Sequence, residues 1–99
     1  MSEILRDGSS ITFKPGHDIV ASVVDELKTE LKKIIEGNLS KLTIDFSETT
    51  MIDSMGIGIL IATYNSLKKK SAQMELINVS AEIASLLKSM RLNQYFTIS

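Results

Sequence analysis

The sequence of 99 residues contains no cysteine, and its charge is almost balanced. Without cysteine the chain forms no disulfide, offers no thiolate to a metal and has no cysteine nucleophile, a composition that fits a reducing compartment. Its 11 Lys and Arg residues against 12 Asp and Glu residues leave a net charge of -1. Such a balance gives no general attraction to nucleic acid or to an anionic membrane. We therefore expect no nucleic-acid partner.

Long apolar runs are also missing from the sequence. The longest stretch without a charged residue, residues 54–67, is interrupted by Gly, Thr, Asn and Ser. It is too short and too polar for a membrane-spanning helix, which needs about 20 mostly apolar residues. No basic region followed by an apolar stretch opens the chain, so a signal peptide is not predicted. We expect a cytoplasmic protein without membrane insertion, folded as one domain over residues 1–99.

The spacing of apolar residues predicts both strands and helices. Alternation indicates half-buried strands, and recurrence at intervals of three and four residues indicates helices. The predicted elements are a β-hairpin at 4–14 turning at Asp7-Gly8, a helix at 20–35 capped by Asp18 and Gly37, a strand at 41–46, a helix at 54–70, a strand at 74–79, a helix at 81–90 and a strand at 95–98. This order, ββαβαβαβ, predicts an α/β fold with helices packed on a mixed β-sheet.

The segment between the second predicted helix and the strand before it is where a functional site is expected. In open α/β sheets, sites form beyond the carboxyl ends of the parallel strands, where loops lead into helices. A serine at such a helix start, here Ser54, is most often the N-cap. If Asp53 is the cap instead, Ile52 and Ile57 occupy the N′ and N4 positions of a hydrophobic staple. Ser54 then has no capping role.

A free serine at the first helical position suits phosphorylation. Unpaired backbone N–H groups and the positive end of the helix dipole tolerate the phosphate's added charge of about -1.5 to -2. Nearby, Gly56 and Gly58 each cost the helix up to about 1 kcal/mol relative to alanine. Two explanations stay open for these glycines: close approach of a partner, or close packing of the helix on the sheet. No complete phosphate-binding glycine motif is present, so nucleotide binding is not predicted.

Other polar residues give weaker indications of chemistry. His17 lacks a second nitrogen or sulfur ligand and is interpreted as a turn residue. Asp45 lies in a predicted strand, so a phosphoacceptor pocket shared by Asp45 and Asp53 is not expected. The sequence shows no nucleophile paired with a base and no ligand cluster. We therefore expect a non-enzymatic protein with no catalytic residue, no cofactor and no bound metal.

Two stretches, residues 42–46 and 51–58, resemble the core of the STAS domain found in bacterial anti-sigma-factor antagonists. The sequence Asp-Ser-x-Gly-x-Gly between a strand and a helix carries the likeness, which extends over residues 40–99. The part of the chain before this region matches mainly in the order of its elements. The resemblance implies a single STAS-like domain that acts in bacterial signal transduction and transcription regulation.

The family's mechanism is partner switching, and the resemblance implies it for this chain. The serine that matches Ser54 is phosphorylated by a serine-kinase anti-sigma factor, and a PP2C-type phosphatase removes the phosphate. In its unphosphorylated form the antagonist binds the kinase and releases the kinase's client. We expect the partner to contact the residues that surround Ser54, which are Asp53, Met55, Gly56, Ile57 and Gly58.

The chain departs from the family pattern at two places, and the first of them keeps an alternative open. Residues 15–20 differ from the Gly-Glu-Leu/Ile-Asp sequence of many members, and Met55 stands where a second hydroxyl residue is common. The alternative is a non-switching STAS scaffold or accessory subunit of a membrane-signalling or histidine-kinase/chemotaxis-like complex, in which Ser54 is structural.

Overall fold

A β-hairpin opens the fold in the computed structural model, which describes residues 2–99. Strand β1, Glu3–Asp7, pairs antiparallel with β2, Ser10–Lys14. The connecting turn consists of Gly8 and Ser9, one residue later than predicted. Gly8 has a φ of 63°, a conformation that glycine adopts without the Cβ clash of other residues. The local preference of this glycine therefore sets the hairpin.

The remaining elements confirm the predicted order ββαβαβαβ and the mixed sheet. They are α1 (Val24–Glu36), β3 (Lys41–Asp45), α2 (Ser54–Lys69), β4 (Gln73–Ile77), α3 (Ala81–Ser89) and β5 (Thr97–Ile98), with 3₁₀ turns at Ala21–Val23 and Leu92–Gln94. The strand order is β1-β2-β3-β4-β5, and all pairs after the first are parallel. Each crossover joins neighbouring strands in the same direction, so right-handed connections place all three helices on one face.

The core lies between this face of the sheet and the helices. The register aligns Phe13, Ile44 and Leu76 across three strands, and each is at most 1% exposed. The alternate residues Thr12 and Glu75 lie on the opposite face and are only partly covered. The alternation of apolar and polar residues in the sequence therefore matches a sheet with one covered face.

Several predicted boundaries are wrong, and contacts distant in sequence explain the main one. Ile19 forms a parallel β-bridge with Ile52, which keeps the chain extended where the first helix was expected to begin. Helix α1 therefore starts at Val24, after a 3₁₀ turn. At the other end of the chain, the 3₁₀ turn at Leu92–Gln94 occupies the approach to β5, which is shorter than predicted. Strand β4 likewise ends at Ile77 rather than at residue 79.

Helix α2 positions the candidate site. It extends from Ser54 to Lys69 and buries Ile57, Leu60 and Leu67 in the core. Lys68 and Lys69 stand in its last turn, where positive charge suits the helix dipole. Among residues 2–99, neither α2 nor any other helix combines the length and the apolar character needed to cross a bilayer.

Candidate functional site

Two loops meet at the carboxyl ends of β2 and β3. The first loop, residues 15–20, runs beside the second loop, residues 46–53. The Ile19 N–H donates to the Met51 carbonyl at 3.1 Å, and the Asp53 N–H donates to the Ile19 carbonyl at 3.3 Å. These bonds continue the parallel pairing of the strands beyond their ends. The start of α2 is thereby attached to the segment that precedes α1.

Asp18 attaches the first loop to the second. Its Oδ1 accepts hydrogen bonds from the Thr50 N–H at 2.8 Å, the Thr50 hydroxyl at 3.0 Å and the Met51 N–H at 3.1 Å. The bond from the Thr50 N–H is the main reason that the pKa of Asp18 lies below its ordinary value. The prediction that Asp18 caps the first helix is therefore wrong. Its carboxylate is directed across to the loop that leads into Ser54.

Asp53 attaches the start of α2 to the segment before α1, and it is also the N-cap of α2. The sequence left Ser54 and Asp53 as alternatives for this cap, and the structure has Asp53. Its Oδ1 accepts from the Gly56 N–H at 2.9 Å, and its Oδ2 accepts from the Ala21 N–H at 2.9 Å. These bonds, from Gly56 first and Ala21 second, lower the pKa of Asp53. One carboxylate thus serves the start of α2 and the 3₁₀ turn before α1. Both of its oxygens are engaged within the chain.

A third link between the loops involves His17 and Thr49. Thr49 is 2% exposed, and its hydroxyl donates to the His17 carbonyl at 2.8 Å. The His17 ring places Nδ1 2.8 Å from the Asp18 carbonyl oxygen. These contacts agree with the interpretation of His17 as a turn residue.

Ser54 is the first residue of α2, and its side chain is exposed. Because Asp53 provides the capping oxygen, the Ser54 hydroxyl is not needed for that task. Ile52 and Ile57 are each 7% exposed, as expected for the N′ and N4 members of a hydrophobic staple. The start of α2 is therefore built by its neighbours, and the Ser54 hydroxyl lies at the surface.

The two glycines of α2 have different environments. A Cβ on Gly56 would lie 2.2 Å from the Ile19 carbonyl oxygen and 2.8 Å from side-chain atoms of Ile19 and Ile52. Close packing therefore explains Gly56. A Cβ on Gly58 would meet nothing within 4 Å, and this residue is exposed. The packing explanation does not apply to Gly58.

The exposed surface around Ser54 differs from the surface expected from the sequence. Ile57 and Gly56 are buried in the fold, by the hydrophobic staple and by the contact with Ile19, so neither lies on this exposed surface, and their contact with a partner stays a prediction. Met55 is 52% exposed and fits the expectation. Met51, which is 58% exposed, was not predicted. The exposure of Met51 could have been predicted from the inward position of Ile52. Neighbouring side chains of an extended segment point in opposite directions, so the residue before Ile52 faces outward.

Asp45 has a separate structural role at the end of β3. Its Oδ1 accepts from the Ser47 N–H at 2.9 Å and from Asn78 Nδ2 at 3.0 Å. Burial opposes ionisation of Asp45, but the hydrogen bonds from Asn78 and Ser47 outweigh it and lower the pKa. Across residues 2–99, no three or more His, Asp or Glu side chains converge in a way that would hold a metal ion.

Comparison with known proteins identifies similar sequences and folds. The family model described as "STAS domain" matches residues 3–99. An anti-sigma factor antagonist from Mycobacterium paratuberculosis superposes with a TM-score of 0.85 at 18% identity, over 99% of this chain and 83% of that one. The Bacillus cell fate determinant SpoIIAA in its phosphorylated form gives a TM-score of 0.78 at 13% identity, over 100% and 91%. A sulfate transporter family protein from Wolinella succinogenes gives 0.78 at 19% identity, over 91% and 73%. At these identities the structural likeness concerns the fold.

Proposed function

The chain belongs to the STAS domain family, and we propose that it is a phosphorylation-regulated protein-binding module with Ser54 as the phosphate acceptor. In its unphosphorylated form it binds a serine-kinase anti-sigma factor and releases the kinase's client. Phosphorylation of Ser54 ends this binding, and a PP2C-type phosphatase restores it. The observation that supports the proposal most is the exposed Ser54 hydroxyl at the first position of α2, relieved of capping by Asp53.

The charges around Ser54 explain how a phosphate would act as a switch. The free N–H groups and dipole of α2 accommodate the anion. The basic residues of the helix, Lys68 and Lys69, stand in its last turn, far from Ser54. No basic side chain of α2 therefore lies near enough to neutralise the phosphate on Ser54. Its added charge of about -1.5 to -2 stays exposed to the partner. A dianion at the centre of a close contact opposes binding by repulsion and by its cost of desolvation.

The proposed phosphorylation requires no catalytic group from this chain. The kinase supplies ATP and the base that accepts the Ser54 hydroxyl proton, and the terminal phosphoryl group is transferred to Oγ with ADP leaving. The chain supplies the acceptor and the surface that the kinase binds. We therefore propose a non-enzymatic role.

Phosphate transfer to a single residue provides the test. The purified chain is incubated with ATP and, one at a time, the anti-sigma serine kinases of the same genome, and the products are analysed by intact mass and peptide mapping. We expect one phosphate on the natural chain and on the control S66A, which removes another exposed hydroxyl of α2. S54A should receive none. A phosphate that persists in S54A would show that another residue is the acceptor.

The likeness to the sulfate transporter family protein supports a second proposal. The same fold would then serve as a non-switching scaffold or accessory subunit of a membrane-signalling or chemotaxis-like complex. Binding of S54D separates the two proposals, because it places a negative charge at the acceptor position. A switch predicts weaker binding of S54D than of the natural chain to the partner, whereas a scaffold predicts equal affinity.

A further inference from the structure

Strand β1 forms one edge of the sheet, and all five of its residues are exposed. Two of them are large and apolar: Ile4 is 43% exposed and Leu5 is 68% exposed. Natural proteins use bulges, prolines and short strands to stop an edge from pairing with another chain. The opposite edge has such protection, because β5 has only two residues. Strand β1 pairs with β2 without a bulge and contains no proline, so its outer edge is open to a further strand.

The backbone groups of Ile4 and Arg6 point away from the sheet. The Ser40 N–H donates to the Ser9 carbonyl at 2.8 Å, which fixes the side of the β2 chain that faces β3. Backbone groups alternate in direction along a strand, so the residues of β2 that bond with β1 start at Ser10 and recur every second residue. Their register partners in β1 are Asp7, Leu5 and Glu3. Ile4 and Arg6 lie between these partners and present their N–H and carbonyl groups to the outer edge.

The charges of β1 select one register for antiparallel pairing with β1 of a second copy. Paired side chains must lie on the same face, so a two-fold axis passes between one residue and its own copy. With Glu3, Arg6 or Asp7 on the axis, identical charges would face each other. With Leu5 on the axis, Glu3 would lie opposite Asp7 of the second copy. With Ile4 on the axis, the two Ile4 side chains pair, and Leu5 lies opposite Glu3 of the second copy.

The register centred on Ile4 also brings opposite charges together. Ile4 is aligned with the core residue Phe13, so Ile4, Ser2 and Arg6 lie on the helix side of the sheet. This register places Arg6 opposite Ser2 of the second copy. The Ser2 hydroxyl donates to the Glu30 carboxylate of α1, so Glu30 of the second copy lies near Arg6. Within one chain Ser2 and Arg6 are about 13 Å apart along the strand, so Arg6 and Glu30 come together only between two copies.

We propose that β1 pairs with β1 of a second copy about a two-fold axis at Ile4, forming a homodimer with a continuous sheet. The edge is complementary to itself in its backbone groups, in the apolar contact at Ile4 and in the Arg6 and Glu30 charges. The strands of the two copies run in opposite directions. The carboxyl ends of β2 and β3, and with them Ser54, therefore lie at opposite ends of the dimer and stay accessible. This inference does not rest on the proposed function.

Reversal of the charges across the axis tests the homodimer. One strand pair buries less area than the about 1,200 Å² of a stable interface, so sedimentation equilibrium is measured up to about 1 mM protein. We expect the apparent mass to rise with concentration from 10.9 kDa towards twice that value. R6E and E30R should each weaken association about tenfold, and R6E/E30R should restore it, because the ion pair forms again in the opposite sense. The controls K88E and E82R make the same charge changes at exposed positions of α3 and should retain the natural affinity. Circular dichroism checks that each variant is folded.

Single cysteines test the register, because the natural chain has none. In the register centred on Ile4, the two Cα atoms of I4C lie about 5.5 Å apart, a separation that a disulfide bridges. The two Cα atoms of L5C lie more than about 7 Å apart, so L5C should cross-link far more slowly on oxidation. Faster cross-linking of L5C than of I4C would refute this register. A natural chain that stays monomeric up to the highest concentration would refute the homodimer. An R6E/E30R chain that associates no better than the single variants would also refute it.

Discussion

Alanine at the two glycines of α2 should change stability in opposite directions. In G56A the new Cβ would lie 2.2 Å from the Ile19 carbonyl oxygen, whereas such atoms normally approach to about 3.3 Å. The loops must separate by about 1 Å to remove this overlap. The Ile19 carbonyl also accepts the Asp53 N–H at 3.3 Å, so separation strains the pairing of the two loops.

The expected magnitudes follow from opposing contributions. Overpacking costs about 1–3 kcal/mol, and the weakened hydrogen bond adds about 1 kcal/mol. The better helix propensity of alanine offsets about 1 kcal/mol of this. We therefore expect G56A to lower the free energy of unfolding by about 2 kcal/mol. G58A meets no neighbouring atom and should raise it by about 0.5–1 kcal/mol.

Urea unfolding followed by circular dichroism measures both effects. With a slope of about 1–3 kcal/mol per molar urea, G56A should lower the midpoint by about 1 M and G58A should raise it by a few tenths of a molar. Equal slopes are required for the comparison, because a changed slope indicates a changed unfolded or native state. A G56A chain as stable as the natural one would refute the close contact with Ile19. A destabilised G58A would refute the open environment of Gly58.

The hydrogen bonds between the two loops lead to two further predictions. Asp18 and Asp53 have lowered pKa values in the folded chain, so their stabilisation is complete above the ordinary aspartate pKa of about 3.9 and is lost as pH falls towards the folded values. Urea midpoints measured between about pH 5 and pH 2 should therefore fall less for D18N/D53N than for the natural chain, and parallel curves would contradict this assignment. T49V removes the buried hydroxyl that bonds the His17 carbonyl and should lower the free energy of unfolding by about 1 kcal/mol, measured by thermal unfolding. The control T29V removes an exposed hydroxyl and should lower the free energy of unfolding less than T49V does. Equal decreases in the two variants would show that the buried hydrogen bond of Thr49 stabilises the fold no more than an exposed one.

Most of the fold was predictable because it depends on local patterns. The alternation in Ser10–Lys14 and the helical spacing of residues 54–70 depend on which face each side chain takes within its own element. The hydrophobic staple at Ile52 and Ile57 likewise uses residues close in sequence, and it correctly favoured Asp53 over Ser54 as the cap. Element order, the mixed sheet and the capping of α2 could therefore be derived from the sequence.

Other features of the candidate site depend on residues far apart in the chain. Asp18 was assigned to the wrong task because its hydrogen-bond partners, Thr50 and Met51, come much later in the chain, beyond α1 and β3. The late start of α1 has the same cause, since Ile19 pairs with Ile52. Sequence spacing carries no information about which two loops adjoin. The role of Asp18 and the start of α1 were therefore predicted wrongly.

The amino-acid sequence alone was sufficient for the α/β architecture, for Asp53 as the cap and for an expected acceptor at Ser54, because each depends on neighbours within about one helical turn. Only the tertiary structure distinguished Gly56, which Ile19 crowds, from the open Gly58, and placed Met51 on the exposed surface. The physical reason is that burial depends on what packs against a residue. At the start of α2, the packing partner is the loop that precedes α1, which is distant in sequence and adjacent only in the folded chain.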